Sequence, residues 1–176
     1  MSELARLYVQ IALLQRGPQD LPASTLLLVI TALGYFVVNS LIFLLLPEPR
    51  GPWLPVLLLE IPFTLAWYAL LMRVVRKPER TLQTTSAMLG YRTVLSPLSI
   101  VAGWLALRYG SDSSWQLPLG VGSVIIVVWL IAASSHVLRA ALEWPLPYCT
   151  ALAIAEIAAE SLAVIAVVPQ GLSTAA

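Results

Sequence analysis

Charge is scarce in this sequence. Only 11% of its 176 residues are Asp, Glu, Lys or Arg, while 59% are hydrophobic. A soluble domain carries about 25% charged residues, and so few charges cannot cover the surface of a water-soluble globule. The same figures exclude intrinsic disorder. Ten basic and nine acidic residues leave a net charge of +1. No basic stripe offers a footprint for nucleic acid. A single cysteine, Cys149, leaves no internal disulfide, and a single histidine, His136, leaves no His/Cys metal site. G-x-S-x-G, H-E-x-x-H and Walker A elements are missing, as is a paired acidic motif for metal-dependent phosphotransfer. The connections are too short to carry a catalytic domain. These absences point to a non-enzymatic protein that uses no cofactor and no metal.

What the sequence has is long apolar runs. A helix needs about 20 apolar residues to cross the hydrocarbon core. Five stretches meet or approach that length, and they predict spans over about 23–46, 53–74, 87–108, 118–140 and 147–168. Unbroken runs of this kind exclude an outer-membrane barrel, whose strands alternate over about ten residues. Pro47, Pro49, Gly51 and Pro52 punctuate the first connection, and Arg76 to Arg80 the second. Gly110 to Pro118 makes the third, and Trp144-Pro145-Leu146-Pro147 the fourth. Pro62 and Pro97 lie inside spans, where packed membrane helices tolerate them. The fold class read from this pattern is all-α, a polytopic helix bundle. It comprises one five-helix transmembrane domain over 18–176, preceded by a short segment over 1–17.

That segment is amphipathic. Leu4, Leu7, Tyr8, Ile11 and Leu14 recur at helical spacing, opposite Glu3, Arg6 and Gln10, and Gly17-Pro18 stops the helix. It reads as a helix lying in the membrane interface, with packing on the end of the bundle as the alternative. Glu3 and Gln10 make it a poor signal peptide. Orientation follows from the basic residues. Arg6, Arg16, Arg73, Arg76, Lys77, Arg80 and Arg139 fall on one side, seven against Arg50 and Arg108 on the other. The positive-inside rule places the amino terminus in the cytoplasm, and five crossings place the carboxyl terminus outside. Trp53, Trp104, Tyr109 and Trp115 are expected at the outer interface, with Tyr8, Trp144 and Tyr148 at the inner one. Nine arginines against one lysine, with abundant leucine and alanine, suggest a bacterium and its inner membrane.

Four ionisable residues fall within the spans: Glu60, Arg92, Glu156 and Glu160. Each costs roughly 2.5–3.5 kcal/mol on insertion scales, so each needs a partner or water. Their depths make Arg92 and Glu156 an ion pair, and let Glu60 and Glu160 face one another. Ala151, Ala155, Ala159 and Ala163 form a small-residue ladder along the fifth span, which permits close helix approach and makes that helix the expected centre of the bundle. Two readings of the acids stay open: a proton or cation site, or pairs that fix helix register. Asn39, Ser40, Thr64, Ser96 and Ser99 are expected to hydrogen-bond between helices. Ser134, Ser135 and His136 cannot form a catalytic couple, because adjacent helical residues diverge by about 100°.

Two segments resemble the Yip domain family of membrane proteins. One runs from Thr81 through Gly90-Tyr91 to Pro97, similar to that family's polar approach to its third span. The other runs from Val128-Trp129 to His136, Arg139 and Ala141, ahead of an alanine-rich last span. The resemblance implies five spans and a cytoplasmic amino terminus over about 23–168. It brings no small-GTPase partner, since the family's long cytoplasmic amino-terminal region is absent. The first functional reading is a non-enzymatic inner-membrane protein that binds membrane lipids and other membrane proteins, or self-associates, and organises the local bilayer. The second is a small transporter, or a transporter subunit, using Glu60, Glu156 and Glu160.

Overall fold

The computed structural model describes residues 2–45 and 53–167. Among the described residues the chain forms six α-helices: α1 (Ser2–Ala12), α2 (Thr25–Leu45), α3 (Trp53–Val74), α4 (Thr81–Tyr109), α5 (Ser113–Leu142) and α6 (Leu146–Val167). Single 3-10 turns at Pro18–Asp20 and Pro78–Arg80 lead into α2 and α4. Four of the helices, α2, α3, α5 and α6, are long and apolar enough to cross a membrane. Their outer faces expose Leu33, Leu44, Leu58, Leu70, Val124, Ile125, Leu162 and Ile165. An apolar surface this extensive is stable only in lipid, and it marks the chain as an integral membrane protein.

The third expected span differs from the other four. Its helix, α4, is 29 residues long, about 43 Å at 1.5 Å per residue, but its polar content keeps it out of the apolar class. It starts at Thr81 rather than near 87 because Thr84, Thr85 and Ser86 are buried, not exposed in a connection. From Thr84 to Tyr91 every residue is buried, so α4 meets its neighbours on all sides. It packs against α1, α2, α3 and α5 and is the centre of the bundle. This corrects the expectation that the alanine-rich last helix is central. On α6, Ala151 and Ala155 are exposed and Ala159 and Ala163 half-buried. The packed side of α6 is instead Cys149, Ala153 and Glu156.

The helices around α4 present narrow stripes to it. On α2 the buried residues are Leu27, Thr31, Tyr35 and Asn39, each one turn from the next. On α3 they are Leu57, Thr64, Tyr68 and Met72. Both stripes mix polar with apolar residues, whereas the outward faces are almost purely aliphatic. That distribution suits a bundle whose surroundings are hydrocarbon.

The first helix, α1, is part of this bundle. Tyr8, Ile11 and Ala12 join the main core cluster with Met88, Tyr91 and Val137. The Tyr8 hydroxyl lies 2.5 Å from that of Thr31 on α2, so Tyr8 is a core residue and not part of an inner aromatic belt. A Cβ at Gly90 would fall inside the Tyr8 ring, and only glycine lets the ring lie on α4. Leu14 takes φ 63, and Gln15 N–H bonds the Gln10 carbonyl at 2.9 Å, the closing bond of a Schellman motif. The helix therefore ends before Gly17. Its end is held by α5: Trp129 Nε1 donates to Ala12 O at 2.8 Å, and His136 Nε2 lies 3.0 Å from Arg16 O.

The basic second connection closes the same end of the bundle. Arg76 at φ 60 repeats the Schellman turn after α3, with Lys77 N–H bonding Met72 O at 2.8 Å. Lys77 Nζ then donates to Leu142 O at 2.9 Å, and Arg80 to Ala141 O at 2.8 Å. These cations satisfy the orphan carbonyls of α5 and oppose its dipole. Both also pair with Glu143, at 2.8 and 2.7 Å. At the other end α5 begins at Ser113, earlier than expected, because Asp112 caps it by accepting the Ser114 N–H at 2.9 Å. The Asp112 carboxyl is held below its usual range by that bond and by the Ser114 hydroxyl.

Candidate functional site

The four ionisable residues singled out in the sequence, Glu60, Arg92, Glu156 and Glu160, come together on three helices. Arg92 projects from the middle of α4. Its Nη2 lies 2.9 Å from Glu156 Oε1 on α6, and its Nη1 lies 3.5 Å from Glu160 Oε2, one turn further along. The same Nη1 donates to the Thr64 hydroxyl on α3 at 3.2 Å. The Glu156 side chain is fully buried, at 0% exposure, and that of Arg92 is 12% exposed. A second donor completes Glu156: the Tyr68 hydroxyl, 2.5 Å from Oε2. Each Glu156 oxygen thus has its own donor, the arrangement that a buried carboxylate requires. The expected Arg92–Glu156 pair is present in this geometry, with Tyr68 and Thr64 as further members.

Glu60 lies apart from that pair. Its Oε2 accepts the Tyr35 hydroxyl from α2 at 2.8 Å. Glu60, Arg92 and Glu160 line one cavity of about 300 Å³ within the bundle. Its polar wall adds Tyr35, Asn39, Ser96, Ser99 and Ser134, and its apolar end is formed by Phe43, Trp53, Val56 and Ile100. Phe43 and Trp53 stack with centroids 5.4 Å apart. Along α2 the cavity runs from Tyr35 to Phe43, two turns, or about 12 Å. It therefore occupies the half of the bundle on the side of the α2 carboxyl end.

Of the expected interhelical hydrogen-bonding groups, only Thr64 serves as one here. Asn39 Nδ2 donates to Tyr35 O at 2.7 Å, Ser96 to Thr93 O at 3.2 Å and Ser99 to Leu95 O at 3.2 Å, all within their own helices. Short side chains on a helix reach the preceding turn more readily than a neighbour. Ser40 Oγ is buried and has no hydrogen-bond partner among the described residues. Ser134 shares a bond of 2.6 Å with the Tyr91 hydroxyl, and His136 faces Arg16, so the two do not act together. Cys149 is buried in the core.

The residues that sequence reasoning missed are tyrosines. Tyr35, Tyr68 and Tyr91 supply hydroxyls to Glu60, Glu156 and Ser134. The signal was available in the four-residue steps Thr31-Tyr35-Asn39 and Glu60-Thr64-Tyr68, each of which puts its members on one helix face. Among the described residues no group of three or more His, Cys, Asp and Glu side chains could hold a metal ion. Comparison with protein-family models, with curated proteins and with solved structures finds no match to this chain.

Proposed function

We propose that this chain is a small transporter, or a transporter subunit, of a bacterial inner membrane, and that it takes a cationic solute into the cavity between α2, α3, α4, α5 and α6. The observation that carries the reading is that Glu60 and Glu160 line a 300 Å³ cavity while Glu156 is consumed by Arg92 and Tyr68. Acids that serve only to fix helix register need partners, not space. In this reading α4 is the third of five spans. Its length supports a crossing, and its polar residues are shielded by the helices around it. The seven-to-two asymmetry of basic residues supports a cytoplasmic amino terminus, with α1, its exposed Val9 and the exposed Leu13 that follows it at the cytoplasmic interface. This is the five-span plan that the resemblance to the Yip domain family implies.

The test is flux. Proteoliposomes given a lumen-negative potential should accumulate labelled tetramethylammonium faster than protein-free liposomes, and Glu160→Gln should abolish the difference. Accumulation equal to that of empty liposomes refutes the transport reading. A second reading, binding of other membrane proteins or of a second copy, is favoured by one observation. Ala151 and Ala155 are exposed along α6, a small-residue surface suited to a neighbouring helix.

A further inference from the structure

We infer that the solute this cavity takes is an organic ammonium ion, its charge lying against Glu60 and Glu160 and its apolar body against Phe43 and Trp53. The inference rests on the solute-binding reading and names the chemical class.

The polar wall offers acceptors. Glu60 Oε2 holds the Tyr35 hydroxyl, and Glu160 Oε2 has only the 3.5 Å contact to Arg92. Among the described residues no protein group donates to the second oxygen of either carboxylate. Asn39 is 4% exposed; one of its two amide hydrogens goes to Tyr35 O, and its carbonyl oxygen adds an acceptor to the wall. The hydroxyl hydrogens of Ser96 and Ser99 go to backbone carbonyls, so these side chains present lone pairs. Arg92, the one cationic side chain of the wall among the described residues, directs its Nη groups at Thr64, Glu156 and Glu160. A wall of unspent acceptors calls for a ligand rich in donors.

Charge points the same way. Among the described residues three carboxylates face one guanidinium, and Arg92 is answered by Glu156 at 2.9 Å and more distantly by Glu160 at 3.5 Å. Negative charge on Glu60 and Glu160 together exceeds what Arg92 balances, and it is costly until a cation or a proton neutralises it. The shape of the cavity selects among cations. A bare metal ion takes a compact oxygen cage at 2.0–2.6 Å, whereas about 300 Å³ with an aromatic end has the size and lining of a small-molecule pocket. The stacked rings of Phe43 and Trp53 offer an apolar surface on which the body of such a cation can be buried.

The experiment measures binding of three shape-matched probes to the full chain in lipid nanodiscs at neutral pH: 2-phenylethylamine, 2-phenylethanol and 3-phenylpropionate. The amine should bind at least about tenfold more tightly than the alcohol, since charge-assisted hydrogen bonds are roughly twice as strong as neutral ones. Glu60→Gln and Glu160→Gln should each erase most of that ratio while leaving the alcohol's affinity within about twofold. Phe43→Ala should weaken amine and alcohol together. The ratio is read on one sample, so a misfolded variant, which loses both probes, is told apart from one that loses charge recognition; Glu60→Asp, which keeps the charge, should retain the ratio. Equal affinity for amine and alcohol, tighter binding of the propionate, or an unchanged ratio in both glutamine variants overturns the ammonium assignment and leaves solute binding standing. Binding of none of the three probes by the unaltered chain overturns both.

Discussion

Glu156→Gln removes the anion from the most deeply buried charge pair of the bundle while keeping its shape, and puts an amide donor in place of one of the two acceptor oxygens. Arg92 cannot respond by losing its proton, because a guanidinium stays charged in proteins. It is left with Glu160 at 3.5 Å and the Thr64 hydroxyl at 3.2 Å. Removing one partner of a buried pair costs roughly 3–5 kcal/mol. The residual Glu160 contact places the loss near the low end, about 3 kcal/mol. For a chain of this size each kcal/mol lowers the melting temperature by roughly 2–4 °C, so a drop of about 6–12 °C is expected for protein in detergent. Arg92→Gln should cost less, because the stranded Glu156 can take up a proton and keep the Tyr68 hydrogen bond. The double variant Arg92→Gln, Glu156→Gln buries no stranded charge and should recover much of the loss. Calorimetry on the four proteins closes a double-mutant cycle. Additive losses, or an Arg92→Gln variant less stable than Glu156→Gln, would refute the reasoning.

Three further outcomes follow from the packing and the charges. Gly90→Ala should push the Tyr8 ring off α4 and break its bond to Thr31, at roughly 1–3 kcal/mol for overpacking; faster protease cleavage between α1 and α2 reports it, and unchanged cleavage contradicts the packing. Lys77 and Arg80 hold the Glu143 carboxyl below its ordinary value of 4.5, so its contribution to stability is complete above that pH and is lost as pH falls through the lowered value; in Glu143→Gln the acid-side loss of thermal stability should be shallower than in the unaltered chain. A periplasm-active reporter should work when fused after Ala176 and fail when fused at Lys77, and the same behaviour at both sites would refute five crossings with a cytoplasmic amino terminus.

The four apolar spans were legible in the sequence because a lipid-facing helix must be apolar over its whole length. The runs at 23–46, 53–74, 118–140 and 147–168 match α2, α3, α5 and α6 to within a few residues, apart from the earlier start of α5. The polar start of α4 was not legible, because Thr81 to Ser86 reads like a connection until neighbouring helices are known to cover it. Burial of a polar segment is a tertiary property, and no local pattern carries it. Depth counting brought Arg92 to Glu156, since helix rise converts sequence distance into depth. It gave no azimuth, so the tyrosines on the facing stripes went unnoticed. The alanine ladder of α6 misled for the same reason: spacing shows that four residues share a face, not which way the face turns.

A cavity that solutes enter past Glu60 and Glu160 must admit a water-borne thiol reagent to its wall. In a Cys149→Ala background, Ser99→Cys places a thiol on the cavity wall, and Leu98→Cys places one on the outward face, where Leu98 is 53% exposed. A membrane-impermeant trimethylammonium thiosulfonate, added outside sealed spheroplasts, should modify Ser99→Cys rapidly and leave Leu98→Cys in the lipid untouched. Ser99→Cys as inert as Leu98→Cys would contradict the account.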